Sequence, residues 1–203
     1  MRIAPAGTAT PATDDRVTVF IDAGHGGSDP GWGSSYILDN APLEKDLTLD
    51  LAMRTAAYLE AEGYRAVLSR TTDADVNDPE RDVNGDGCID PIDELQARMD
   101  IANASGAAVL FSIHFNGLPN TPLNGSATFY NAVREFSADN ERLAGLIQSA
   151  QLETLRSFGH DPRDWGALRD DALETPSQSE CPTGYPYYTI LGPAAEGRPR
   201  PTM

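Results

Sequence analysis

The sequence predicts an α/β fold, in which a mostly parallel, twisted sheet is flanked by helices in three layers. Two observations predict this fold. Short apolar runs at residues 17–22, 65–69 and 107–113 alternate with longer segments whose apolar residues recur at helical spacing. A strand, a helix and a second strand in this order form a parallel crossover unit, because the helix returns the chain to the same end of the sheet.

The first unit starts at residues 17–22, a β-branched apolar run that ends at a cluster of glycines. From Glu44, apolar residues at helical spacing predict a helix of about four turns, which Gly63 stops. Residues 65–69 are the second predicted strand.

The second unit starts at a helix face and ends at a strand. The face is formed by Ile92, Leu95, Met99 and Ala102. Gly106 stops this helix, and the almost wholly apolar residues 107–113 form the third predicted strand. The repeated order of strand and helix supports a parallel sheet.

The remaining chain is less regular. Residues 127–130 predict a weaker strand, and residues 140–158 predict a long amphipathic helix. Residues 161–184 are rich in Pro, Ser, Asp and Gly, which predicts an irregular segment, and residues 188–191 predict one more short strand.

Composition excludes several classes of protein. Fifteen Lys and Arg against 31 Asp and Glu give a formal net charge of −16, which argues against binding a nucleic acid backbone. No apolar run approaches the roughly 18 residues of a membrane span, and residues 1–15 carry no stretch typical of a signal peptide. We therefore predict a flexible leader at 1–15 and one domain at 16–203, acting as a monomer. The two cysteines, Cys88 and Cys181, leave open one disulfide or two free thiols.

Two histidines and a glutamate lie where the predicted sheet places ligands. His25 follows the first strand, His114 follows the third, and Glu44 begins the first helix. The carboxyl ends of neighbouring parallel strands meet at one edge, where α/β proteins bind ligands. Each residue taken alone also fits an ordinary loop or a helix start. Together they match the three protein ligands of a catalytic zinc site.

Five motifs resemble, in order, those of the zinc-dependent N-acetylmuramoyl-L-alanine amidases of the amidase-3 family. They are VFIDAGHGGSDPG, LEKDLTLDLA, RAVLSRTTD, LQARMDIAN and VLFSIHFN. The resemblance implies that His25, Glu44 and His114 bind Zn²⁺ in an enzyme that hydrolyses the amide between N-acetylmuramic acid and L-alanine of peptidoglycan. From its position two residues after His114, we predict that Asn116 contacts the substrate; a cap on the strand end is the alternative. Arg70, Arg98 and Asn103 fall on the family's recurring Arg and Arg-Asn motifs, where we favour a structural role.

The family supplies its general base from a second glutamate on its last strand, in a stretch resembling PAVLVE. No such stretch precedes Met203. We therefore expect the domain to be incomplete at its C-terminus, with the catalytic glutamate beyond Met203. This leaves open a truncated amidase fragment, or a catalytically silent module that binds peptidoglycan or regulates its cleavage.

An insertion at about residues 78–94 resembles a dockerin-type or EF-hand calcium loop. Oxygen-bearing residues occupy its ligand positions and Gly87 its turn: Asp82, Asn84, Asp86, Cys88 through its carbonyl, Asp90 and Asp93. We predict structural Ca²⁺ here; an acidic surface turn and a calcium-dependent interaction module are the alternatives. Calcium and a peptidoglycan substrate both indicate an extracellular or cell-envelope location.

Overall fold

The computed structural model describes residues 14–32, 42–115 and 125–170. Their elements, in chain order, are β1 (Thr18–Ala23), α1 (Glu44–Ala61), β2 (Arg65–Leu68), α2 (Pro91–Ser105), β3 (Val109–Ile113), β4 (Gly125–Tyr130), α3 (Ser137–Ser157) and β5 (Arg163–Arg169). None of the helices in these ranges is long and apolar enough to cross a membrane.

The first three strands form a parallel sheet in the order β2-β1-β3. The central strand β1 is buried along its whole length. Its alternate side chains face opposite layers, because successive residues of a strand point to opposite sides. Val19 and Ile21 pack with Ala52 of α1, whereas Phe20 packs with Met99 of α2. Helices therefore cover both sides of this sheet, which confirms the predicted three layers.

Helix α1 begins at Glu44 and α2 ends before Gly106, as the sequence predicts. Helix α1 spans 18 residues from Glu44, somewhat more than predicted. Asp90 caps α2 through a reciprocal capping box with Asp93, and Gly106 ends it in a left-handed conformation with φ of 68°. The stop at Gly106 is thus confirmed.

A second parallel pair, β4 and β5, packs against α3. The prediction of an irregular segment from residue 161 is wrong over β5. A bulge explains why the sequence hides this strand: Asp164 pairs with Ser126 but Gly166 pairs with Ala127, so that Trp165 is an extra residue. Gly166 has φ of 86° at the bulge. The strand predicted at 188–191 lies outside the described residues.

Candidate metal centre

His25, Glu44 and His114 meet at the carboxyl edge of the first sheet, as the sequence predicts. His25 Nε2 lies 3.1 Å from Glu44 Oε1 and 3.1 Å from His114 Nδ1. His114 Nδ1 lies 3.4 Å from Glu44 Oε1. In the described part of the chain, these three side chains are the group of His, Cys, Asp or Glu placed to hold a metal ion together.

The spacing of the three donor atoms fits zinc. A tetrahedral zinc ion with bonds of about 2.0–2.1 Å places its ligand atoms about 3.3–3.4 Å apart. The three measured separations are 3.1, 3.1 and 3.4 Å. Two imidazole nitrogens and one carboxylate oxygen are also the donor types of catalytic zinc sites.

Two glycines make room for the ligand side chains. A Cβ atom added to Gly24 would overlap the ring of His114. A Cβ atom added to Gly31 would overlap the ring of His25, and Gly31 also has φ of 64°. Gly24 and Gly31 are therefore required because the two rings approach the backbone closely at these positions.

Glu44 is almost completely buried, and both of its oxygens accept backbone hydrogen bonds. Oε1 accepts from the amide of Phe115 at 2.6 Å, and Oε2 accepts from the amide of Trp32 at 2.8 Å. Burial raises the pKa of Glu44, but hydrogen bonds from His114 and His25 and from these two amides outweigh it. The pKa lies well below its usual range, so that Glu44 is an anion at neutral pH.

His25 is held at its ring and at its backbone. Its φ is 60°, in the left-handed region that non-glycine residues rarely adopt. Its carbonyl accepts a hydrogen bond from Arg98 at 2.7 Å, and its Nδ1 lies 2.7 Å from Asp29 Oδ2. Burial lowers the pKa of His25, but the hydrogen bonds to Asp29 and Glu44 raise it to about 9. The carboxylates around His25 therefore favour a positive charge at this position.

Arg98 and Arg70 hold the backbone at the end of β1, on which His25 is placed, and this agrees with their predicted structural role. Arg98 pairs with the fully buried Asp22 at 2.7 Å and also donates to the carbonyl of Ala23. Arg70 donates to the carbonyls of Ala23 and Gly24. The two guanidinium groups thus satisfy the buried backbone at the end of β1.

Asn103 lies on α2, which leaves its predicted structural role untested. Asn116, the predicted substrate contact, lies outside the described residues. Both roles stay predictions.

Acidic residues that the sequence analysis did not single out anchor the glycine loop after β1. Asp73 accepts hydrogen bonds from the Gly27 amide and from Lys45 Nζ, each at 2.8 Å. Asp75 accepts from the amide and the hydroxyl of Ser28. Asp73 and Asp75 follow β2 at the same edge of the sheet. Their position shortly after a predicted strand is the sequence signal that could have identified them as anchors of the loop.

The acidic loop at residues 82–93 is closed by its last residue. Asp93 is fully buried, and its Oδ1 accepts hydrogen bonds from the amides of Val83 and Asn84 across the loop. The Asp82 carboxylate accepts from loop amides, including that of Gly87. Cys88 is disulfide-bonded, whereas Cys181 lies outside the described residues. These contacts close the loop, and calcium binding stays a prediction.

Comparison with known proteins identifies the family. The model of the N-acetylmuramoyl-L-alanine amidase family amidase-3 matches residues 19–175. The germination-specific N-acetylmuramoyl-L-alanine amidase of Bacillus subtilis is 32% identical over 139 residues, which cover 68% of this chain and 54% of that protein. The chain therefore spans about half the length of this curated relative.

Solved structures agree with this match. The N-acetylmuramoyl-L-alanine amidase of Clostridium difficile 630 aligns with a TM-score of 0.58 and 30% identity, covering 76% of this chain and 70% of that one. The amidase AmiC2 of Nostoc punctiforme aligns with a TM-score of 0.55 and 29% identity, covering 75% and 68%. The chain belongs to the amidase-3 family of N-acetylmuramoyl-L-alanine amidases.

Proposed function

We propose that this protein is a zinc-dependent amidase that hydrolyses the bond between N-acetylmuramic acid and L-alanine in peptidoglycan. The observation that carries the proposal is the 3.1–3.4 Å spacing of three donor atoms at the carboxyl edge of the sheet. Family membership supplies the reaction, because relatives that match this chain are named for it. Peptidoglycan as partner and an extracellular or cell-envelope location follow from this substrate.

His25 Nε2, Glu44 Oε1 and His114 Nδ1 would hold the zinc ion. A zinc ion held there would lower the pKa of bound water toward about 7 and polarise the scissile carbonyl. Glu44 supplies the negative charge, which its backbone hydrogen bonds keep in place. The His114 side chain is 43% exposed, whereas that of Glu44 is 4% exposed. The substrate therefore reaches the site from the His114 side.

Proton transfer to the leaving amine needs a further acid–base group. We expect this group to be a glutamate, as the family carries one on its last strand. His25, Glu44 and His114 would only hold the zinc ion, and they supply no proton to the leaving amine.

A protein that carries both this site and the acid–base glutamate should release stem peptides from peptidoglycan when zinc is added. Each cleavage exposes a new L-alanine amine, which amine labelling and mass spectrometry measure. A chelator should abolish the release, and added zinc should restore it, because the proposed chemistry needs the metal. Zinc binding without release would favour a silent peptidoglycan-binding module. Release by a longer chain alone would show that a group beyond Met203 is required.

We also propose that the loop at residues 82–93 binds one calcium ion. The spacing of its oxygen ligands supports this proposal, and Asp93 already folds back toward the start of the loop. Isothermal titration should give a dissociation constant on the order of 10⁻⁴ to 10⁻³ M, typical of extracellular modules. Asp86→Ala should weaken binding at least about tenfold, whereas Asp139→Ala on α3 should not change it. Equal binding by the Asp86 variant and the wild type would contradict the site.

A further inference from the structure

The ring of His25 lies between two carboxylates with different tasks. Its Nε2 faces Glu44 Oε1 at 3.1 Å, where the metal would bind, and its Nδ1 faces Asp29 Oδ2 at 2.7 Å. We propose that Asp29 is a positioning residue, which accepts a hydrogen bond from the Nδ1–H of His25 and so keeps the Nε2 lone pair directed at the metal. This inference rests on the zinc site proposed above.

The tautomer of a metal-binding histidine depends on the hydrogen bond at its other ring nitrogen. A neutral imidazole carries one N–H and one lone pair, and the hydrogen bond at one nitrogen decides which nitrogen can bind a metal. With its proton held on Nδ1 by Asp29, His25 presents Nε2 to the metal. If the proton moved to Nε2, the ring would present an N–H to the ion and could no longer bind it.

Asp29 is itself fixed before it meets His25. Its backbone amide and carbonyl form two hydrogen bonds with Gly26, each of 2.9 Å. Its second carboxylate oxygen, Oδ1, accepts from the Gly31 amide at 3.0 Å. The carboxylate is thus held on one side by the loop, and its other oxygen is directed at the ring.

The other contacts of His25 and its loop do not replace this bond. Arg98 donates to the carbonyl of His25, so that it fixes the backbone without holding the ring nitrogen Nδ1. Asp75 anchors Ser28 of the same loop through three contacts of 3.1 Å, yet none of them reaches His25. Asp75 therefore offers a matched control, because its loss loosens the loop without removing the ring contact.

The first test is zinc affinity, measured by competition with a chromophoric chelator. Loss of a residue that orients a metal-binding histidine typically weakens metal binding 10- to 100-fold. The Asp29 side chain is 59% exposed, so that water competes for the bond and we expect about tenfold for Asp29→Ala, at the lower end of that range. Asp29→Asn keeps an oxygen acceptor without the charge and should fall between the wild type and Asp29→Ala. Asp75→Ala should stay near the wild type.

The second test reads the proton itself. In zinc-loaded protein labelled with ¹⁵N-histidine, only three histidines contribute signals. A slowly exchanging Nδ1–H signal should appear in the wild type and in Asp75→Ala, and it should be lost in Asp29→Ala. A change in loop stability alone would not remove this signal selectively.

The outcomes separate this inference from the proposed function. Asp29→Ala with wild-type affinity and an unchanged Nδ1–H signal would overturn the role of Asp29 and leave the zinc site intact. Equal weakening by Asp75→Ala and Asp29→Ala would also overturn it, because loop anchoring would then explain the loss. A wild-type chain that binds no zinc would overturn the metal site, and this inference with it.

Discussion

Replacing Glu44 by glutamine should abolish zinc binding and stem-peptide release. Glu44 is the anionic member of the donor set, and glutamine removes its charge. Glutamine also carries only one acceptor oxygen, so that its amide group would face the N–H of Trp32 or Phe115 without a hydrogen bond. Since loss of an orienting residue alone costs 10- to 100-fold in metal affinity, we expect loss of this ligand to exceed about a hundredfold.

Zinc competition and the peptidoglycan release assay measure this effect. Asp50→Asn is the matched control, because Asp50 lies on the same helix in an exposed ion pair with Arg54. Its affinity should equal that of the wild type, and its stability should change by no more than about 0.5 kcal/mol. A Glu44→Gln protein that still binds zinc tightly would contradict the assignment of the ligands.

Replacing Arg98 by methionine should lower the free energy of unfolding by about 3–5 kcal/mol, as expected when a buried ion pair loses one partner. Asp22 is fully buried and would lose the cation that compensates its charge. Burial raises the pKa of Asp22, but the charge of Arg98 and the hydrogen bond from Ser112 hold it below its usual value. The carbonyls of Ala23 and His25 would lose their donor as well.

Urea unfolding followed by circular dichroism measures this loss. The exposed residue Arg54 offers the control, because Arg54→Met breaks a surface pair and should change stability by no more than about 0.5 kcal/mol. The double variant Asp22→Asn, Arg98→Met should recover part of the stability, since it no longer leaves an uncompensated buried charge. A loss below about 1 kcal/mol in Arg98→Met would show that the pair is not a main stabilising contact.

Most of the first sheet is predictable from the sequence, because burial on both faces imposes a continuous apolar run. Strand β1, with all six residues buried, carries the clearest such run. Strand β5 is not predictable in this way. Its sequence RDWGALR is polar, and its pairing with β4 depends on a bulge that places Trp165 outside the register. A local pattern does not show a partner strand that lies far away in the chain.

The metal ligands are predictable for a related reason. His25 and His114 follow neighbouring parallel strands, so both lie at the same edge of the sheet whatever the path of the loops. The groups that tune these ligands are harder to find. The amide of Phe115 binds the carboxylate of Glu44 across 71 positions of sequence, and no motif spacing encodes that contact. The opposite holds for the predicted calcium loop, because its sequence spacing is specific but its ion stays a prediction.

The left-handed backbone at His25 has a consequence for how this family drifts in evolution. A side chain there costs on the order of 1–2 kcal/mol relative to glycine, so that the position favours glycine whenever the ligand is not needed. On the proposed zinc site, the need for a metal ligand opposes this replacement. A homologue with glycine at the position of His25 would be expected to gain stability and to lose the metal.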